Sequence, residues 1–211
     1  MTSPAPWRLR VDGPLMGFEN MEADEALLEA QKDPAAVAVL RFFRWKSKTL
    51  TFGRLQDQHA AANQTMILGC RAMARRPTGG GTVVHEKDLS FSLAWREGHP
   101  SFPRKLKEVY RAIHGAVRAA LAGLGVETSF FAGPAGRGGM CFESPSVDDL
   151  LWKGKKVLGG AMRVTGFGRL YEGNLFWAEM GLDDAAVLKA VGAAFEKDFF
   201  KSPPEVREIA Y

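Results

Sequence analysis

The stretch that most restricts what this chain can fold into is "RRPTGGGTVVH", residues 75–85. Gly79, Gly80 and Gly81 together give up more backbone entropy on folding than any other three residues would. A plain turn needs one or two glycines. A third implies that something comes flush against the main chain. The β-branched run Thr82-Val83-Val84 that follows predicts a strand. The glycines then form a turn whose backbone N–H groups can cradle an anion, and Arg75 and Arg76 put positive charge beside it. The pattern G-x-x-x-x-G-K-S/T is absent, so this is not a nucleotide P-loop. No helix opens after the glycines, which removes the dinucleotide fingerprint. The alternative reading of these residues is a bulged turn that binds nothing.

A second stretch, "GKKVLGGAMR" at 154–163, sets Lys155 and Lys156 at a tight turn ahead of a glycine pair, Gly159 and Gly160, and Ala161. Neighbouring strand residues point to opposite faces, so one lysine faces solvent and the other faces inward. An inward lysine near a glycine-lined anion site would hold a phosphate, or a carbonyl oxygen as it becomes negative. The alternative is a solvated turn. The third candidate is Cys141 in "GGMCFESPS". Near a lysine its thiol would lose its proton readily and act as a nucleophile; alternatively it is a small buried hydrophobe.

The two cysteines, Cys70 and Cys141, show no CxxC pattern, which argues against zinc. In a reducing compartment they are not expected to pair. The four histidines, His59, His85, His99 and His114, include no HExxH, so no metal site is expected. His114 sits beside an apolar helical stripe and reads as a satisfied core or surface residue. No Ser-His-Asp arrangement can be located.

At 211 residues and 46% hydrophobic, the chain can bury a real core and is expected to form one domain. Its net charge of +4 fits an acidic partner, protein or nucleic acid, and equally a plain excess of lysine. It carries no aromatic-basic RNA motif and no helix-turn-helix, so no nucleic-acid partner is expected. "MTSPAPWRLR" has no apolar signal region, and no run approaches the ~18 apolar residues of a membrane span. A cytoplasmic protein with no membrane partner is expected.

"GFENMEADEALLEAQKD" predicts a helix capped by Asn20, and "AVAVLRFFRW" a central strand. "TLTFGR" and "TVVHE" predict strands on either side of the glycines. "LSFSLAW" alternates Leu89, Phe91 and Leu93 with Ser90 and Ser92, as a half-buried strand does. The clearest helix runs from about Pro103 to Leu124. "FFAGPAGRGGM" reads as loop, and "DLLW" and "KVLGGAMRV" as a hairpin. "GRLYEGNLFW" predicts a strand, and "DDAAVLKAVGAAFEKDF" a last helix starting at Asp183 or Asp184. Strands and helices mix without strict alternation, which predicts an α+β fold on a mixed β-sheet flanked by helices.

Taken in order, these pieces resemble the biotin/lipoate protein ligase superfamily, in the branch of lipoate–protein ligase A and the lipoyl(octanoyl)transferases. "ENMEADEALL" looks like that branch's first helix, N-M-x-x-D-E-A-L. "LRFFRWKSKTLTFGRLQ" looks like its paired strands. "RRPTGGGTVVHE" is similar to R-R-x-S/T-G-G-G-x-V-x-H-D/E, and "GKKVLGGAMR" to its lysine motif. The resemblance covers nearly the whole chain. It implies a catalytic domain like that of class II aminoacyl-tRNA and biotin synthetases, as a single domain over residues 1–211 with no C-terminal accessory domain. It also implies an acyl-binding pocket lined by Arg75, Arg76, Gly79, Gly80, Gly81, His85, Gly159, Gly160 and Ala161. Lys156 would touch the acyl carbonyl, with Lys155 facing away.

The branch holds two chemistries. Transferases take octanoyl from acyl carrier protein through a cysteine thioester and need no cofactor. Ligases use ATP and Mg²⁺ to make lipoyl-AMP. Both deliver the octanoyl or lipoyl group to a lysine of a lipoyl carrier domain, such as a 2-oxoacid dehydrogenase E2 or the glycine cleavage H protein. "CFESPS" resembles the transferases' C-F-x-x-P-S, with Cys141 as nucleophile and Lys156 as its partner. "HEKDLSFS" is also closer to the transferases. Gly81 is more typical of ligases, and Glu172 stands where the family usually has histidine. The resemblance implies an octanoyltransferase, with an ATP-dependent ligase as the alternative.

Overall fold

The computed structural model describes residues 5–133 and 145–209. Cys141 and most of the expected loop around it lie outside the described residues. Three central strands set the architecture: β2 (Ala38–Trp45), β6 (Leu89–Arg96) and β10 (Gly168–Leu175), numbered in chain order. Side chains alternate across a strand, and here the two faces carry different chemistry. One face presents Leu40, Phe42, Leu89, Phe91, Leu93, Trp95, Tyr171 and Leu175, which join a single apolar cluster. The other presents Arg41, Ser90, Ser92, Glu172 and Asn174, all buried as well.

The main sheet has eight strands in the order β11-β1-β2-β6-β10-β9-β8-β7. The added strands are β1 (Trp7–Leu15), β7 (Ser129–Phe130), β8 (Leu150–Trp152), β9 (Lys155–Val164) and β11 (Val206–Ile209). β1 pairs in parallel with β2 and β11, and the other neighbours are antiparallel. The expected mixed sheet is therefore present. A small second sheet, β4-β3-β5, is built from β3 (Thr49–Phe52), β4 (Ala72–Arg75) and β5 (Val83–His85). It carries the glycine turn between β4 and β5.

The apolar face is covered by α3 (Leu106–Gly123) and α4 (Asp184–Phe195). Val109, Ile113, Val117 and Leu121 recur at helical spacing and join Val187, Val191 and Phe195 in the same cluster. α3 ends where Gly125 takes a φ of +81°, a left-handed value that favours glycine. Asp183 caps α4, accepting from the Ala186 N–H.

The polar face is covered by α1 (Gly17–Ala30) and the small sheet. The expected Asn20 cap is wrong. Met16 holds the cap position, and Glu19 reaches back to its N–H at 2.7 Å. Asn20 is wholly buried instead. Its amide donates to the Arg44 carbonyl and its oxygen accepts from Arg41. The half-buried reading of β6 also fails: every residue from Leu89 to Trp95 is buried, because Asp24 of α1 meets Ser92 while Trp45, Asp88 and Asn174 enclose Ser90. β1, β11 and α2 (Gln58–Ile67) had no clear signal in the sequence. α2 buries only Ala61, so it has almost no apolar stripe to read. Among the described residues, no helix is long and apolar enough to cross a membrane.

Arg41 ties α1 to the sheet. It is 0% exposed, and its guanidinium reaches Asp12 at 2.6 Å, Asp24 at 2.8 Å and both oxygens of Asn20. Removing one partner from a buried pair leaves uncompensated charge and typically costs about 3–5 kcal/mol. Arg41→Met should lose stability of this order in urea unfolding, because it strips the wholly buried Asp24 of its cation and leaves Asp12 with Arg10 alone.

Candidate active site

The glycine turn is fixed by close approach. A Cβ built on Gly53, just after β3, would lie 2.1 Å from the Gly80 carbonyl oxygen. Gly80 has a φ of +89°, which side-chain-bearing residues rarely adopt. The Arg54 N–H donates to the Thr78 carbonyl at 2.8 Å and locks the two segments in register.

Arg76 and Arg75 separate completely. Arg76 is buried, and its guanidinium donates to Thr51 Oγ1, the Gly79 carbonyl and the Gly81 carbonyl at 2.7, 3.0 and 2.6 Å. It therefore braces the turn from inside. Arg75 points the other way, donating to the Arg54 and Gln56 carbonyls and lying 4.5 Å over the Phe52 ring. The structure does not bring Arg75 to the cleft. It is the last residue of β4, and the strand alternation that buries Arg76 turns Arg75 outward.

The β8–β9 hairpin supplies the lysine. Lys155 is exposed, while the Lys156 side chain is 3% exposed and pairs with Asp149 at 2.8 Å. The glycine pair after it makes room. A Cβ on Gly159 would fall 2.4 Å from Lys156 Cε, and one on Gly160 would fall 2.2 Å from the Tyr171 hydroxyl oxygen. Tyr171 shares a 2.6 Å hydrogen bond with His114 Nε2, and His114 Nδ1 sits 2.6 Å from the Asp148 carbonyl oxygen. That carbonyl can only accept, so Nδ1 carries the proton and the Tyr171 hydroxyl donates to Nε2. Burial holds His114 below its usual value, against the Asp148 carbonyl and the Asp149 charge. Of the two readings the sequence left for His114, core or surface, the satisfied core residue is the one found.

Arg76, Val83, Lys156, Gly159, Gly160, Ala161, Glu172 and Asn174 line one small cleft of about 20 Å³ against the polar face of the sheet. Register explains the grouping. Glu172 lies opposite Ser92 and Ala161, and Asn174 lies opposite Ser90 and Gly159. A second, larger pocket of about 320 Å³ shares Lys156 and is walled by Trp152, Val157, Phe176 and Ala178.

Of the residues expected to line a site, Arg76, Lys156, Gly159, Gly160 and Ala161 meet in this cleft. Gly79, Gly80 and Gly81 form the turn beside it. His85 sits beneath rather than in it, stacked on Trp45 at 4.0 Å. It bonds to Thr51 Oγ1 at 2.7 Å and Asp88 at 2.9 Å. Burial raises Asp88, yet His85, Ser90 and Asn174 together hold it below its usual range. Glu172, Asn174, Asp149 and Thr78 were not read as site residues. The available signal was Glu172 standing where the family usually has histidine.

The lipoyl protein ligase A/B catalytic domain model matches residues 16–197, most of the chain. The chain belongs to this family. Similar relatives of the lipoyl protein ligase A/B domain include the octanoyltransferase LipM of Halalkalibacterium halodurans, 33% identical over 169 residues. That match covers 74% of this chain and 60% of the relative, so the chain spans well under two thirds of that protein's length. Among solved structures, a lipoate-protein ligase A bound with ATP has a TM-score of 0.71 at 18% identity, covering 98% of this chain and 90% of that one. A chain from a bi-partite lipoate protein ligase and its E2 lipoyl domain of Thermoplasma acidophilum gives 0.69 at 18%, covering 98% and 88%. These likenesses show the fold, and they bear out the α+β synthetase-like architecture.

Gly53→Ala tests the close approach. The new methyl meets a backbone oxygen, so the turn must shift. A misplacement near 1 Å at a reacting site costs about a hundredfold in rate. Turnover should fall on that order while the far-UV circular dichroism spectrum stays that of the parent.

Proposed function

We propose that this chain transfers an octanoyl (or lipoyl) group to a specific lysine of a lipoyl carrier domain. The observation that carries the reading is the buried Lys156 ammonium. Asp149 anchors it, and it sits between the glycine turn and a larger apolar pocket. The relatives named octanoyltransferase LipM support octanoyl transfer without ATP, and the resemblance of the motifs implies acyl carrier protein as the donor.

The reaction runs in two steps. The Cys141 thiolate attacks the thioester carbon of the donor, a new C–S bond forms, and the carrier's thiolate leaves. The amine of the target lysine then attacks the acyl-cysteine. A C–N bond forms, the C–S bond breaks, and the amine's proton ends on the departing sulfur. At each tetrahedral stage the carbonyl oxygen becomes negative beside Lys156. A pre-placed donor of this kind contributes more than it would in water. The pocket walled by Trp152, Val157, Phe176 and Ala178 is of the size class that takes small ligands, and it gives the eight-carbon chain apolar room next to Lys156. Acceptors would be lipoyl domains of a dehydrogenase E2 or a glycine cleavage H protein.

Gly81 favours a second reading, an ATP-dependent ligase that passes through lipoyl-AMP with Mg²⁺. The two separate in one assay of octanoyl transfer to a purified lipoyl domain, with and without ATP. A transferase works without ATP, and Cys141→Ala abolishes its turnover. Lys156→Met should cost roughly 10²–10³-fold. Transfer that needs ATP and survives Cys141→Ala would make it a ligase.

A further inference from the structure

Asp148 holds a conformation that a residue with a side chain rarely adopts. Its φ is +72°, in the left-handed region. Among the described residues two other non-glycines have positive φ, Lys153 and Lys201, and both are exposed. Asp148 is buried, in the turn just before β8. A strained residue persists only where its surroundings fix it, and here α3 supplies the means. His114 Nδ1–H donates to the Asp148 carbonyl at 2.6 Å, and Arg111 Nη1 donates to the Asp148 carboxylate at 2.8 Å. The Asp148 N–H donates to the carbonyl of Phe131, just past β7, at 3.0 Å. What the turn delivers is the next residue. The Asp149 carbonyl accepts from the Phe131 N–H at 2.8 Å, and its N–H donates to the Ser146 carbonyl at 3.0 Å. With its backbone so held, the Asp149 carboxylate meets Lys156 Nζ at 2.8 Å and accepts from the Ser146 N–H at 2.6 Å.

We propose that His114 and Arg111 are positioning residues for acyl transfer: by holding Asp148 left-handed they aim Asp149 at Lys156, and so fix where the ammonium stands. The role in transfer rests on the octanoyl-transfer reading; the aim of Asp149 does not.

The two residues hold the turn from opposite sides. His114 works from the core. It is buried, and its Nε2 accepts from the Tyr171 hydroxyl at 2.6 Å, so the ring cannot flip without losing both bonds. Tyr171 is fixed in turn against Gly160, where a Cβ would fall 2.2 Å from its hydroxyl oxygen. The contacts therefore leave β9 at Gly160, pass through Tyr171, His114 and the Asp148–Asp149 turn, and return to β9 at Lys156. Arg111 works from outside. Its side chain is 55% exposed and lies 3.5 Å over the Phe130 ring. It can be removed without opening the core.

Two pairs of variants separate this role from plain support of the fold. Asp148→Gly and Asp148→Val both discard the carboxylate that Arg111 holds. Glycine takes a positive φ freely, and a β-branched residue does not, so the pair isolates the backbone conformation. His114→Gln keeps a donor and an acceptor on one side chain, while His114→Leu keeps neither.

The experiment reads the ¹⁵N–¹H signal of the Lys156 ammonium in the full chain, assigned by its loss in Lys156→Met. It is read beside the melting temperature and the kcat and KM of octanoyl transfer to a lipoyl domain. A buried, paired ammonium exchanges slowly with water and gives a sharp signal. His114→Leu and Asp148→Val should broaden it and lower kcat by about tenfold to a hundredfold, with KM for the lipoyl domain held within about twofold. His114→Gln and Asp148→Gly should keep it sharp and turn over about tenfold faster than those two. Arg111→Met should change signal and kcat in the same direction as His114→Leu, by several-fold. A wild-type signal and kcat in both His114→Leu and Arg111→Met, whatever their melting temperatures, would overturn the proposal. So would an Asp148→Val that matches Asp148→Gly. If His114→Leu does not fold, Arg111→Met and the two Asp148 variants decide the matter. A wild type with no octanoyl transfer sinks the functional reading alone, because the ammonium signal needs no substrate.

Discussion

A full positive charge in the interior of this protein has to be answered, and the answer organises one whole side of the main sheet. Arg41 is completely buried on β2. An isolated buried ion is prohibitively costly, so it persists only with partners arranged around it. Asp12 comes from the neighbouring strand, and Asn20 and Asp24 come from α1. α1 is therefore seated on the sheet by polar contacts more than by an apolar stripe. Its buried residues include Asn20 and Asp24 beside Met21 and Leu28. With α1 so placed, Asp24 reaches Ser92, and Glu172, opposite Ser92 on β10, reaches Thr78. One chain of hydrogen bonds and charges runs from the sheet centre to the glycine turn.

The opposite face needs none of this. Tyr171, Phe91 and Phe195 pack ring on ring, and α3 and α4 close over them at ordinary helical spacing. Division of labour between faces is what a strand permits, since alternate residues never compete for the same space. Tyr171 and Glu172 are chain neighbours with opposite duties. One is a core ring bonded to His114, and the other is a cleft carboxyl.

Much of this was legible in the sequence, for identifiable reasons. The stripe from Val109 to Leu121 announced α3, and Lys155 and Lys156 divided between solvent and interior as strand alternation requires. The close approach at the turn requires glycine at 53 rather than in the triple run: a Cβ on Gly79 would meet nothing, and Gly80 is needed for its φ of +89°. What stayed hidden has a common cause. Ser90 and Ser92 look like solvent-facing residues until Trp45 and Asn174 enclose the first and Asp24 of α1 meets the second, and Asn20 looks like a cap until Arg41 claims it. Arg75 and Arg76 look equivalent, yet one braces the turn and the other lies over Phe52. A buried polar network is assembled from distant segments, so local pattern does not reveal it. Glu172 was visible only as a departure from the family's usual histidine, and its link to Thr78, 94 positions earlier, needed the fold.

The account stands on Lys156 serving an acyl thioester without nucleotide. Intact-protein mass spectrometry after mixing with octanoyl-acyl carrier protein, in the absence of ATP, tests this most directly. The account predicts an octanoyl adduct on the wild type that is missing from Cys141→Ala and strongly reduced in Lys156→Met. An unmodified wild-type protein that lipoylates a lipoyl domain once ATP is added would contradict it.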